Sequence, residues 1–259
     1  MLLLKNITKK FDNLLVLQNV DLKVKKGQFV SILGPSGTGK TVLLQLIAGF
    51  LKPDFGNIAV NGKTIDKPNP ERYMIFQDYA LFPWKTVLQN ILFGTEKVNA
   101  SKDEKKQIAH KCMNLVNLAK FQNYYPHQLS GGMRQRVAVA RGLAAEPKLL
   151  LMDEPFSALD SNQREYLRIE LEKIWKATGK TILFVTHDIE EAIYLSDQVH
   201  ILSGRPAKIK KVFNIDLPRP RKIDSKEFFS LKREIKKLTS ESNNLINETE
   251  KDEQKNLVW

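Results

Sequence analysis

Gly34, Gly39, Lys40 and Thr41, within GPSGTGKT (34–41), stand at the G-x-x-x-x-G-K-[ST] spacing of a phosphate-binding loop. A buried strand runs in and a helix starts at its end. Pro35, Ser36, Gly37 and Thr38 complete a turn whose backbone N–H groups and helix N-terminus face negative charge. Lys40 reaches the β- and γ-phosphates of ATP or GTP, and the Thr41 hydroxyl ligates Mg²⁺. LLLMDEPF (149–156) supplies a second half. Asp153 ends an apolar strand, where a carboxylate fits if it meets a cation, and Glu154 is placed to polarise an attacking water. A third element, LSGGMRQRVAVARGL (129–143), looks like another anion site. Ser130 is a natural N-cap, and Gly131 and Gly132 expose N–H groups with no side chain in the way.

The elements that must hold these residues alternate. LVLQNVDLKVKKGQFVSILG (15–34) reads as strands turned at Lys26 and Gly27, with a buried strand from Phe29 to Leu33. TVLLQLIAGFLKP (41–53) reads as a helix ended by Gly49 and Pro53, and GNIAVNGKTI (56–65) as a strand pair turned at Asn61 and Gly62. From about Val87 to Ala145 the pattern is helical. KLLLMD (148–153) and TILFVTH (181–187) are strand-length apolar runs. Between them lies a helix with Leu167, Leu171 and Ile174 on one face and Glu172 and Lys176 at salt-bridge spacing. Val137, Ala140 and Leu143 give the helix after the glycine pair a packed face. The pattern implies an α/β fold with a mostly parallel sheet covered on both faces. An antiparallel β part precedes it, and a helical subdomain is inserted at about 87–145. The prolines of LPRPRK (217–222) mark a linker, FFSLKREIKKL (228–238) an amphipathic helix, and the polar remainder a frayed tail.

The 259 residues carry a formal net charge of +12, which fits nucleotide phosphates, nucleic acid or an anionic membrane face alike. The single cysteine, Cys112, excludes an intrachain disulfide and reads as a small buried hydrophobe. No apolar run approaches the length of a bilayer crossing, so any membrane role runs through a partner.

The three motifs together resemble those of the ATP-binding-cassette (ABC) ATPases, over nearly the whole chain to about Leu217. LSGGM resembles the signature motif, and the fold implied is a P-loop NTPase cassette. By that resemblance Gln77, in FQDYALFPW (76–84), belongs to a loop that contacts Mg²⁺ and the lytic water and senses a membrane subunit. SALD (157–160) resembles the D-loop, with Asp160 at the nucleotide. His187 is implied as the γ-phosphate contact that keeps water and Glu154 in line, and Phe11 as the ring stacked on adenine. On residues alone, His187 only precedes DIEEA, where Asp188 and Glu191 resemble a capping box. In this family two cassettes pack head to tail, each ATP lying between one phosphate loop and the other signature loop. The resemblance therefore implies a homodimer or a pair with a related subunit.

Soluble members with two cassettes per chain or with long coiled coils differ from this sequence, and fused exporters carry membrane spans. The expectation is an importer ATPase peripheral to the cytoplasmic face of the membrane, docked on permease subunits and served indirectly by a solute-binding protein. RYMIFQDYALFPWKTVLQNI, ILSGRPAKI and IDLPRPR resemble the nitrate/sulfonate/taurine-type importers, implying a small organic or inorganic anion as solute. The rival reading, an ABC ATPase associated with nucleic acid, draws only on the +12 charge; direct nucleic-acid contact is not expected.

Overall fold

The computed structural model describes residues 1–240; the polar tail from 241 onward lies outside the described residues. The chain divides into two compact units, one formed by Met1–Lys67 with the segment after Leu183, the other by Pro68–Leu183.

In the first unit, β1 (Leu2–Phe11), β2 (Leu14–Val24), β4 (Phe55–Val60) and β5 (Lys63–Thr64) form an antiparallel sheet in the order β2-β1-β4-β5. β1 buries Leu2, Leu4 and Ile7, the register shift between Leu4 and Ile7, where Asn6 has φ 51°, moving the alternation by one residue. The β4–β5 turn places Asn61 and Gly62 at φ 51° and 78°, the two positive values a tight hairpin with right-handed strand twist requires. A second sheet has the order β10-β9-β3-β8-β7-β6, from β3 (Phe29–Leu33), β6 (Arg72–Ile75), β7 (Leu149–Asp153), β8 (Thr181–Thr186), β9 (Gln198–Ser203) and β10 (Lys208–Asn214). β3 pairs parallel with β9 and β6 parallel with β7, while β10 joins β9 antiparallel. The expected parallel sheet thus carries one antiparallel edge. β3, β7 and β8 are buried along their full lengths, as strands covered on both faces must be. Phe29 and Phe184 pack at 5.8 Å in the first unit's core.

α1 (Lys40–Ala48) ends at Gly49, whose φ of 87° lets its N–H return to Gln45 and Leu46 carbonyls. The second unit holds α2 (Val87–Gly94), α3 (Lys102–Leu115), α4 (Gly131–Ala144) and α5 (Ser161–Thr178). α2 and α3 start at reciprocal capping boxes, Thr86 with Gln89 and Ser101 with Glu104. On α5, Leu167, Leu171 and Ile174 are buried and Lys176 meets Glu172 at 3.1 Å. Cys112 is buried on α3, and burial pushes its thiol up to about 11.

α6 (Ile189–Leu195) belongs to the first unit, as does a helix over 226–240, α7, longer than its sequence pattern implied. The segment read as a linker is anchored. Arg221 is buried and donates from Nη1 to the carbonyls of Ile193, Tyr194 and Ser196, from Nη2 to Ile215 and from Nε to Leu217.

His200, on β9, is 5% exposed with neither ring nitrogen hydrogen-bonded, and burial pushes its imidazole down to about 4. The native state therefore keeps the ring neutral while the unfolded chain protonates it below pH 6.5. Stability should fall as the solution is acidified. From this group alone the loss between pH 7 and pH 5 should be about 2 kcal/mol. Urea unfolding of His200→Leu against the wild type at both pH values checks this: the variant should lose less stability on acidification, and an equal loss in both proteins would rule the assignment out.

Candidate functional site

Gly34 to Thr41 connect β3 to α1 in the first unit. A Cβ on Gly34 would lie 2.3 Å from the Leu202 carbonyl, so the loop leaves β3 hard against the backbone of β9. Gly39, at φ 82°, caps α1 in the left-handed conformation, where a Cβ would also meet Val16 at 2.7 Å. Thr38 is buried and donates its hydroxyl to the Pro35 carbonyl at 2.8 Å. Lys40, 5% exposed, donates to the Gly34 and Pro35 carbonyls at 3.0 and 2.8 Å, so its ammonium lies over the loop. No side chain caps α1 and no acid stands in its first turn. Its N-terminus and dipole present a positive field to an anion. Ser36 and Thr41 are exposed beside it.

Phe11 closes the β1–β2 hairpin opposite Leu14 and is exposed, with Lys9 Nζ 5.2 Å from its ring centre. His187 follows β8 and is exposed. Asp188 caps α6 by accepting from Glu191 N–H at 3.0 Å. Glu191, buried, accepts the Thr186 hydroxyl at 2.6 Å, and that oxygen accepts the Asp188 N–H at 3.0 Å. The cap residue expected from sequence is present; the glutamate's partner is the threonine at the end of β8.

The second unit carries the remaining residues. Asp153 ends β7 at 5% exposure, and a carboxylate held there suits a cation. Glu154 follows at φ 42°, its carbonyl accepting from the Ser157 hydroxyl at 2.9 Å. A non-glycine residue in the left-handed region is a strained position of the kind that marks functional loops. Asp160 caps α5, accepting from Gln163 N–H at 2.9 Å. Ser130 caps α4, accepting from Met133 N–H at 3.3 Å. A Cβ on Gly131 would meet Leu159 at 3.1 Å and the Tyr79 hydroxyl at 3.9 Å. The glycine pair, the SALD segment and the loop after Gln77 therefore converge within one unit. At Gly132 a Cβ finds only ordinary contacts, 3.5 Å from Gln163 and 3.6 Å from Leu167.

Gln77 is exposed in a turn after β6. Tyr79 and Ala80, just beyond it, have φ of 63° and 45°. Their conformation is held by a residue of the helix that follows the glycine pair, one that the sequence does not single out. Arg141, buried near the end of α4, donates Nη1 to the Ala80 carbonyl at 2.7 Å and Nη2 to the Tyr79 carbonyl at 2.9 Å. Its guanidinium carbon lies 5.8 Å from the Phe82 ring centre. Phe82 in turn contacts Phe93 at 4.6 Å and Trp84 at 5.6 Å, and Trp84 is 70% exposed. The only sequence signal for Arg141 was its place among apolar helix positions.

A glycine-rich loop opening a helix beside a buried parallel strand defines a nucleotide-binding α/β protein. The ABC transporter family model matches residues 17–157. An uncharacterized ABC transporter ATP-binding protein of Methanocaldococcus jannaschii is 46% identical over 235 residues, 89% of this chain and 88% of that protein. The nitrate import ATP-binding protein NrtD of Synechocystis sp. is 43% identical over 225 residues, 87% and 85% of the two chains. A dimeric ATP-binding cassette solved in a post-hydrolysis state with ADP and Pi superposes with TM-score 0.71 at 34% identity, covering 83% of this chain and 99% of that one. The chain belongs to the ABC transporter family and is an ATP-hydrolysing cassette.

Arg141→Lys keeps the charge but loses the two-pronged donor, leaving a buried carbonyl unmet. It is expected to cost about 2 kcal/mol. Urea unfolding measures this; wild-type stability would show that the fork is not what holds the Tyr79–Ala80 turn.

Proposed function

We propose that this chain is the ATPase subunit of an importer for a small inorganic or organic anion such as nitrate, sulfonate or taurine. It would work in a homodimer, or paired with a related subunit, on permease subunits at the cytoplasmic face of the membrane. A solute-binding protein would deliver the solute. Among the described residues no helix is long and apolar enough to cross a membrane. The nitrate import relative supports the solute class. Residues 1–217 are assigned to the ATPase domain with helical subdomain at about 87–145, and 218–259 to linker, amphipathic helix and tail.

The observation that carries the pairing is Ser130. Its cap occupies one N–H of α4, that of Met133. With no side chain on Gly131 or Gly132, the other N–H groups of the first turn are left to an anion that the same chain's motifs do not require. The nucleotide there would be the partner's. In cis, Gly34 to Thr41 would wrap the phosphates, with Lys40 moving from its loop carbonyls to the β- and γ-phosphates and Phe11 stacking on adenine. Thr41, Gln77 and Asp153 would hold Mg²⁺, which supplies charge neutralisation when bound. Glu154 would take the proton of the attacking water, His187 would hold the γ-phosphate and water in line, and Asp160 would complete the nucleotide's surroundings. The Phe82, Phe93 and Trp84 face would receive a permease helix, with Gln77 beside it. Tyr79 is buried and belongs to the support of that face.

Glu154→Gln should bind ATP yet turn over at least about a hundredfold more slowly, since general-base effects are of that order. Wild-type turnover would remove Glu154 from the chemistry. Trp84→Ala should lower transport in reconstituted vesicles more than it lowers the isolated subunit's ATPase; equal losses would count against the docking face. Pairing is tested by mixing Lys40→Ala with Gly132→Asp, each inactive alone. A mixed pair gathers both lesions in one composite site and leaves the other intact, so about a quarter of wild-type ATPase should return at equal ratio if subunits exchange at random. No recovery, in mixtures shown to exchange, would contradict independent sites shared across the pair.

A further inference from the structure

Alternate residues Gln198 and His200 of β9 point to one face of their sheet, and Val212 of β10 lies opposite His200 in register. Together with Leu4 and Leu22, register partners on β1 and β2, they line a groove of 460 Å³ within the first unit. Lys5, Lys23, Lys25 and Asp21 also line it and are exposed. Three polar groups of the lining are engaged inside the protein. Gln28 accepts the Lys25 N–H at 3.0 Å, Gln198 Nε2 donates to Asn214 at 2.8 Å, and Asp21 accepts the Asn6 N–H at 2.9 Å. His200 differs from them. It is 5% exposed, and neither ring nitrogen has a hydrogen-bond partner. A buried polar group left in that state is uncommon and calls for a reason. Burial keeps the ring neutral, so it offers one N–H donor to whatever enters the groove.

The surroundings of the ring narrow the choice of occupant. Three lysines against one acid favour an anion over a cation. Among the described residues no group of three His, Cys, Asp or Glu side chains could hold a metal ion. Leu4, Leu22 and Val212 give the groove apolar walls, which a bare inorganic ion would leave wet. We infer that this groove binds a small organic monoanion of the alkyl-carboxylate type, its chain against Leu4, Leu22 and Val212 and its carboxylate accepting the His200 N–H. Lys5, Lys23 and Lys25 draw the charge in from the rim. None of the lining residues belongs to the phosphate loop, so the site is independent of ATP binding and of the roles assigned above to Glu154 and His187.

The test is titration of the full chain with hexanoate, read by calorimetry and by the imidazole NMR signals, with thermal unfolding of each variant to verify the fold. The chain has four histidines, and the His200 signal is the one missing from His200→Leu. Hexanoate should move that signal saturably and leave those of His110, His127 and His187 in place. Formate should bind at least about tenfold more weakly, as burial of two methylenes requires. His200→Leu should weaken hexanoate at least about tenfold, the loss of one hydrogen bond to a charged group. Lys5→Gln with Lys23→Gln, both changes on exposed side chains, should weaken it about threefold at low salt and less at high salt. Lys40→Ala should bind hexanoate as the wild type does. No saturable shift of the His200 signal would overturn the proposal and leave water as the groove's occupant. Unchanged affinity in His200→Leu, formate binding as tightly as hexanoate, or hexylamine binding in its place would each overturn it too. Loss of hexanoate in Lys40→Ala would do the same by assigning the anion to the phosphate loop.

Discussion

One buried guanidinium sets the geometry of the second unit. Arg141 spends both Nη atoms on the carbonyls of Tyr79 and Ala80, two residues in a backbone region that only a firm external hold makes tolerable. Because Arg141 sits on the helix that begins at Ser130, the glycine pair and the Gln77 loop are two ends of one rigid piece. The aromatic face of Phe82, Phe93 and Trp84 is built on the same loop. A push on that face is therefore delivered to α4 through short hydrogen bonds rather than through a soft side-chain layer.

The phosphate loop obeys a different constraint, which is proximity of backbone to backbone. Gly34 is required because β9 passes 2.3 Å from where a side chain would start, and Gly39 because Val16 closes on it in the left-handed conformation. The loop's shape is thus fixed by strands on either side before any nucleotide arrives. Its lysine is held on the loop's own carbonyls and its helix end is left uncapped. Rigidity and a positive field are the two properties an anion cradle needs.

Sequence made the loop, the hairpin and the caps legible because each is a local device in which residue type dictates backbone shape. Asn61 and Gly62 can do little other than turn, and Asp188 before Glu191 can do little other than cap. β6, β9 and β10 escaped. RYMI, QVHILS and KIKKVFN mix charged or polar residues into their apolar positions, so their pairing is decided by distant strands. The same blindness hid Arg141 and Arg221. An arginine reads as surface charge until the carbonyls it will meet, elsewhere in the chain, are brought to it. Glu191 shows the middle case: its helix was legible, but its hydroxyl partner Thr186 was set by how β8 ends.

The five carbonyls gathered by Arg221 bear on where this chain tolerates being cut. Composition marks everything after Leu217 as an appendage, rich in proline and then in charge. Yet Ile193, Tyr194 and Ser196, which spend their carbonyls on Arg221, form the end of α6 and its exit, and the opposite end of α6 begins two residues after His187. Cleavage ahead of residue 221 would strip the far end of that helix of the guanidinium that meets its carbonyls. The apparent tail contains a brace for α6.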